Sequence, residues 1–387
     1  MRCFRIPRNK GTHAQEEEEE EKKSITEFRF AKGRSEKDDF MIRNGGLILE
    51  GRITSCGVNF TPFRTFSKRQ LQIATENYAR NRIVHIDRCE FYKGNLDDRE
   101  VIVKNWQFNM SSRSMECSIT EVVVGLQMNN HKNVLKLLGC CLETPAPNLV
   151  FEFPENGCLS HHIYNEGLLS WESRLRIAIE VADAISYLHT GTSNPIIHRN
   201  IHAKTIFLDK HFVAKLSEFW TSVSIPLGET YVVVDCVMGT TGNLEPLYSQ
   251  TGHCTEKIDV YSFALLLLEI LSGKRVSSFF SDFVNETSDD DDDDSSSSVN
   301  GSPDLIGHNP DTVEQLVESS YFKSTDRIWR WLKAKMLREG NKEQIMAYAE
   351  LAQRCMAKNR EERPTMVEVA YELRRIKGII INSTSLS

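Results

Sequence analysis

No apolar run in this 387-residue sequence is long enough to cross a bilayer: the longest, around Ala264 to Leu271, is interrupted by Glu269, and a span needs about 20 residues. The basic N-terminus MRCFRIPRNK lacks an apolar segment, which argues against a signal peptide, and Arg at position 2 excludes N-myristoylation. Ten cysteines are present but none forms a C-x-x-C pair, and most lie in apolar context, as Cys140-Cys141 does. That pattern points to reduced core thiols rather than a disulfide framework or a zinc site. A large excess of basic charge is missing too. The net charge is −7, and setting aside the twelve acidic charges of Glu16 to Glu21 and Asp289 to Asp294 leaves the rest at +5. This is too mild to argue for a nucleic-acid partner. The chain is expected to be cytoplasmic, with peripheral placement at the plasma membrane only through partners.

What is present is ordinary globular composition, 40% hydrophobic and 26% charged, arranged in distinct stretches. Residues 1–39 read as a disordered acidic tail and 40–66 as an N-terminal extension around Gly45-Gly46. SKRQLQIATENYA, Ser67 to Ala79, has an N-capping serine and helical apolar spacing. IVHID, EFYKG and VIVKNW follow as short alternating runs, expected to be antiparallel strands joined by hairpins. A helix around Met115 to Asn129 and strands at Leu135 to Leu142 and Leu149 to Phe153 complete a small β-rich lobe over 67–153. From 154 to 376 the pattern is helical, with an acidic, disordered insertion at about 277–310 and a short tail over 377–387. WESRLRIAIEVADAISYLHT is amphipathic, while DVYSFALLLLEILSG is apolar almost all round, as a central buried helix is. Amphipathic helices resume from Thr312, with Trp329 and Trp331 among them. Strands first and helices after predict an α+β fold of two lobes.

Several segments then fall in one order: VIVK, HRN, SEF, DVYSF and RPTM. Together they resemble a eukaryotic protein kinase from Phe66 to Ile376, which implies the bilobal kinase fold. The wording LLGCCLE, YLHT and IIHRN is similar to plant receptor-like kinases. FMIRNGGLILE, FRTFSKRQLQIATENY and LVFEF most resemble the ZED-related (ZRK) group of receptor-like cytoplasmic pseudokinases.

The departures from the kinase pattern decide which chemistry the resemblance implies. The glycine-rich loop that cradles phosphate should fall at Val84 to Phe91, which holds no glycine and carries Asp87 and Glu90. Lys104 matches the phosphate-pairing lysine and Glu121 its helix partner; a plain strand-to-helix link is an equal reading. Asn200 stands at the general-base position after His198-Arg199. An amide accepts no proton at neutral pH, and loss of a base costs ~10²–10⁴ in rate. His202 replaces the usual lysine and Thr205 the magnesium-holding asparagine. Glu218 replaces the magnesium aspartate, one methylene longer, with Trp220 where glycine is usual. Leu247 stands where a glutamate would pair with Arg363, so Arg363 must find another partner.

The resemblance implies no catalytic residue intact and no cofactor required. A weak residual ATP site is expected at Lys104, Glu121, Phe151 and Phe153, with magnesium doubtful at Thr205 and Glu218. It also implies an adaptor or decoy role in plant innate immunity. The partners would be the leucine-rich-repeat domain of a coiled-coil immune receptor of the ZAR type, active receptor-like cytoplasmic kinases, and bacterial effectors. Thr221, Ser222, Ser224, Thr230, Thr240 and Thr241 are the candidate modification sites in the activation segment, with Tyr231 beside them. Two other readings stay open: a weakly active Ser/Thr kinase, and a pseudokinase that binds nucleotide as a structural ligand.

Overall fold

The structure, a computed structural model, describes residues 36–55, 63–106, 112–165, 169–275 and 341–379. The poly-Glu run, the acidic insertion, Trp329 and Trp331 lie outside the described residues. The described residues form two compact units, divided first after Asn129 and again after Phe153, with Asn130–Leu135 joining the second and Val234–Cys236 the first.

The first unit opens with helix α1 (Glu36–Ser55), the short strand β1 (Arg64–Thr65) and helix α2 (Lys68–Ala74). Strands β2 (Ile83–Ile86), β3 (Glu90–Leu96) and β4 (Arg99–Asn105) come next, then helix α3 (Ser112–Met128), β5 (Leu137–Cys141) and β6 (Asn148–Glu152). The strands make one six-stranded sheet in the order β1-β5-β6-β4-β3-β2. The β3–β4 turn is Asp97-Asp98, both at positive φ; aspartate tolerates that conformation, and such turns match the twist of a hairpin.

Three features differ from the sequence reading. The expected boundary at residue 40 falls inside α1. The helix was hard to foresee because Gly45, Gly46 and Gly51 weaken its propensity. Helix α2 has its Ser67 cap, part of a capping box with Gln70, but ends at Thr75 rather than reaching Ala79. There the Thr75 hydroxyl donates to Leu71 O at 2.7 Å, accepts from Tyr78 N at 3.1 Å, and Glu76, Asn77 and Tyr78 all take positive φ. Strand β1, not anticipated, runs parallel to β5 with Arg64 opposite Gly139. A Cβ on Gly139 would lie 2.0 Å from Arg64 O, so the pairing requires glycine.

The second unit is mainly helical. It holds α4 (Ser160–Ile163), α5 (Trp171–Thr190), the short strands β7 (Ile196–Ile197), β8 (Ile206–Leu208), β9 (Ala214–Leu216), β10 (Val223–Ser224) and β11 (Val232–Val233), then α6 (Pro246–Thr251) and β12 (His253–Cys254). Helices α7 (Lys257–Ser272), α8 (Lys342–Cys355) and α9 (Met366–Lys377) complete it. All of α7 from Ile258 to Ser272 is buried, as a sequence apolar almost all round requires. Its C-terminal carbonyl at Ile270 accepts from the buried Arg174 of α5 at 2.5 Å, which meets the need of a helix end for a donor. Trp171 is core: its ring meets Tyr348 edge-on at 5.3 Å while its Nε1 donates to Gln344 at 2.9 Å. A curled sheet unit followed by a helical unit is the bilobal protein-kinase architecture, mixed α+β.

Candidate functional site

The first unit contributes Lys104, in the register position of β4 opposite Phe91 of β3. Lys104 is fully buried, and its Nζ lies 2.6 Å from the carboxylate of Glu121 on α3. The ammonium also sits 5.3 Å from the centre of the Phe91 ring and 4.8 Å from that of Trp106, within reach of cation–π attraction. One acid and two rings therefore take up the cation. The β2–β3 turn over Asp87 to Cys89 is closed by Asp87 N donating to Cys89 O at 3.1 Å, in place of the open backbone cradle that phosphate binding needs. Phe151 is buried in β6 opposite Ile102 and Leu137. Phe153 is half-buried, with Lys93 Nζ 4.4 Å above its ring. The structure thus joins Lys104 to Glu121, while Phe151 is sheet core and Phe153 has Lys93 as its neighbour.

The second unit contributes the loop after β7. Asp259 of α7 accepts from the backbone N–H groups of His198 and Arg199, at 2.7 and 2.9 Å, and touches His189 at 2.9 Å. This holds Arg199 in a left-handed conformation, φ +66°. His198 Nδ1 accepts from Asn200 N at 3.3 Å and its Nε2 donates to Ser217 O at 2.8 Å. Burial holds the His198 pKa below its usual value, which keeps the ring neutral.

Asn200 ends a short relay. Lys204 N donates to His202 Nδ1 at 3.2 Å, so the neutral ring carries its hydrogen on Nε2. That nitrogen lies 3.1 Å from Thr240 Oγ1, which in turn donates to Asn200 Oδ1 at 2.8 Å. An aspartate here would be a proton acceptor; the amide only completes the chain. Thr205 is fully buried, its hydroxyl donating to His202 O at 2.9 Å and accepting from His202 N at 3.2 Å. Glu218 adopts φ +67°, and its carboxylate accepts from the Trp220 indole at 2.8 Å. The residue that departs from glycine thus occupies the residue that departs from aspartate. Within the second unit, Thr205 and Glu218 both have their side chains hydrogen-bonded to protein groups.

Arg363, with leucine at 247, finds another acidic partner as expected: Glu245, 3.1 Å away. Glu245 also takes a two-point contact from Arg360, at 2.9 and 2.5 Å, and caps α6 by accepting from Tyr248 N. Burial pushes its carboxyl up, but the Arg360 and Arg363 guanidiniums bring it below the usual carboxylate range. Of the activation-segment hydroxyl residues, Thr221 and Ser222 are both buried, with the Thr221 hydroxyl donating to His198 O at 2.7 Å. Ser224, Thr230, Thr240 and Thr241 are exposed.

Sequence reasoning missed Tyr248. Its hydroxyl accepts from Met238 N at 2.9 Å, donates to Met238 O at 3.0 Å, and lies 3.3 Å from the Arg199 guanidinium. A buried tyrosine hydroxyl needs such partners, but nothing local in the sequence names them.

Comparison with known proteins agrees with this architecture. Residues 80–298 match the protein tyrosine and serine/threonine kinase family, and the chain belongs to that family. It is 36% identical to the non-functional pseudokinase ZED1 of Arabidopsis thaliana over 90% of this chain and 99% of that one. It is 34% identical to the serine/threonine-protein kinase ZRK1 of the same plant, over 91% of this chain and 97% of that one. Wall-associated receptor kinase-like 4, also from Arabidopsis thaliana, is 36% identical over 88% of the chain, which spans only 41% of that relative's length. Among the described residues no helix is long and apolar enough to cross a membrane.

Proposed function

We propose that this chain is a ZRK-type pseudokinase: a catalytically inactive adaptor or decoy in plant immunity, linking effector action to a coiled-coil immune receptor of the ZAR type. The observation that supports inactivity is the hydrogen bond from Thr240 to Asn200, which engages the amide that stands in the sequence at the position of the kinase base. The carboxylate of Glu218, bonded to Trp220, supports the same reading. The match to the non-functional pseudokinase ZED1 along nearly its whole length supports the pseudokinase part of the reading. The receptor's repeat domain is the proposed partner, and the exposed residues Ser224, Thr230, Thr240 and Thr241 are the proposed sites at which effector-driven modification adds charge or bulk. No cofactor is required for this role.

The test is transfer of the γ-phosphate from ATP with Mg²⁺ by the purified full chain, beside a Glu218→Ala control. Background-level transfer in both is expected. Turnover that disappears in the control would overturn the inactive reading. Association is tested separately, by mixing the chain with the repeat domain of such a receptor, with and without a modified partner kinase. Absence of a complex under both conditions would end the adaptor reading. A weakly active kinase is the second reading, favoured by the assembled Lys104–Glu121 pair and by the wall-associated receptor kinases among the relatives.

A further inference from the structure

Helix α1 is bound within its own unit along one face. Asn44 is fully buried, and its Nδ2 donates to Leu142 O at 3.1 Å and to Thr144 O at 2.9 Å. Arg43 donates to Pro145 O at 2.7 Å, and Lys37 pairs with Glu143 at 2.8 Å. Four consecutive residues of the β5–β6 connection, Leu142 to Pro145, thus receive α1. The same connection holds α3, because Ser118 Oγ donates to Pro147 O at 2.7 Å. About two turns along the Asn44 face, past the buried Ile48, comes Gly51, where a Cβ would lie 2.6 Å from Val123 of α3. Val123 is β-branched and cannot swing aside cheaply. The two helices approach closely only because residue 51 has no side chain. Val123 lies two residues beyond Glu121, the partner of Lys104.

In kinases the position of this helix, and so the lysine–glutamate pair, is a controlled variable. We propose that α1 is an intrinsic clamp on α3, and through α3 it holds Glu121 at Lys104. The polar contacts fix α1 to the connection, and the Gly51 contact transmits that position to α3.

The same substitution at two glycines tests this. Gly51 faces α3, whereas a Cβ on Gly46 meets nothing within 4 Å. Alanine raises helix propensity at both sites. Amide hydrogen exchange is followed by mass spectrometry in the full chain for peptides of α3 and, as a reference, of α7. In Gly51→Ala the α3 amides are expected to exchange faster by about tenfold or more, with α7 unchanged. In Gly46→Ala both should match the parent. Asn44→Ala should accelerate α3 together with the β5–β6 connection. The proposal is overturned if α3 exchange is unchanged in Gly51→Ala and Asn44→Ala, if Gly46→Ala accelerates it equally, or if α7 accelerates as much as α3.

Discussion

Lys104 is held from three sides. Its ammonium is enclosed by Glu121, Phe91 and Trp106, so removing it strands a carboxylate at 1% exposure. Breaking one side of such a pair costs about 3–5 kcal/mol, whereas replacing both partners with apolar groups is often neutral. We therefore expect Lys104→Met to lower denaturant stability by about 3–5 kcal/mol, and Lys104→Met with Glu121→Leu to recover most of it. If the single variant were as stable as the parent, the enclosed pair would not be structural. The lysine and its glutamate were legible in the sequence from VIVK and the following helix. The two rings were not, because Phe91 reaches Lys104 through strand register and Trp106 through the chain that leaves β4. Likewise the indole–carboxylate bond of Trp220 and Glu218 depends on Glu218 taking a left-handed φ, which no spacing rule announces.

At the scale of elements, α6 is tied to the turn at Arg360–Glu362 through Glu245. The folded pKa of Glu245 lies below its ordinary value of about 4.3. The pair therefore contributes its full stability above that ordinary value, and the contribution is lost as pH falls through the folded value. His198, whose folded pKa is also depressed, acts with the same sign from a higher starting point near 6.5. The expected outcome is that Glu245→Gln is less stable than the parent at pH 7 and that the gap closes in acid, as followed by chemical denaturation across pH. A gap independent of pH would mean that the ion pair contributes nothing. The long elements here were readable: α5 and α7 through their apolar spacing, the strands through alternation. The short ones were not. Strand β1 has two residues and exists because Gly139 admits its backbone, and α1 carries three glycines that hide it from propensity.

For the whole molecule, the proposed absence of a nucleotide requirement bears on one observable. A nucleotide that bound the folded state would raise its melting temperature by linkage. No rise is expected at millimolar ATP with Mg²⁺, measured by differential scanning fluorimetry. A concentration-dependent rise would favour the structural-ligand reading and reopen the residual ATP site.

The hydroxyl of Tyr248 has one more implication. Arg199 already directs donors of its guanidinium to Tyr248 and to the Thr221 carbonyl, so a phosphate added at Thr230 would compete with bonds made inside the fold. Modification of the segment would then be legible only from outside, to whatever partner touches it. The segment would serve as a signboard rather than a lever.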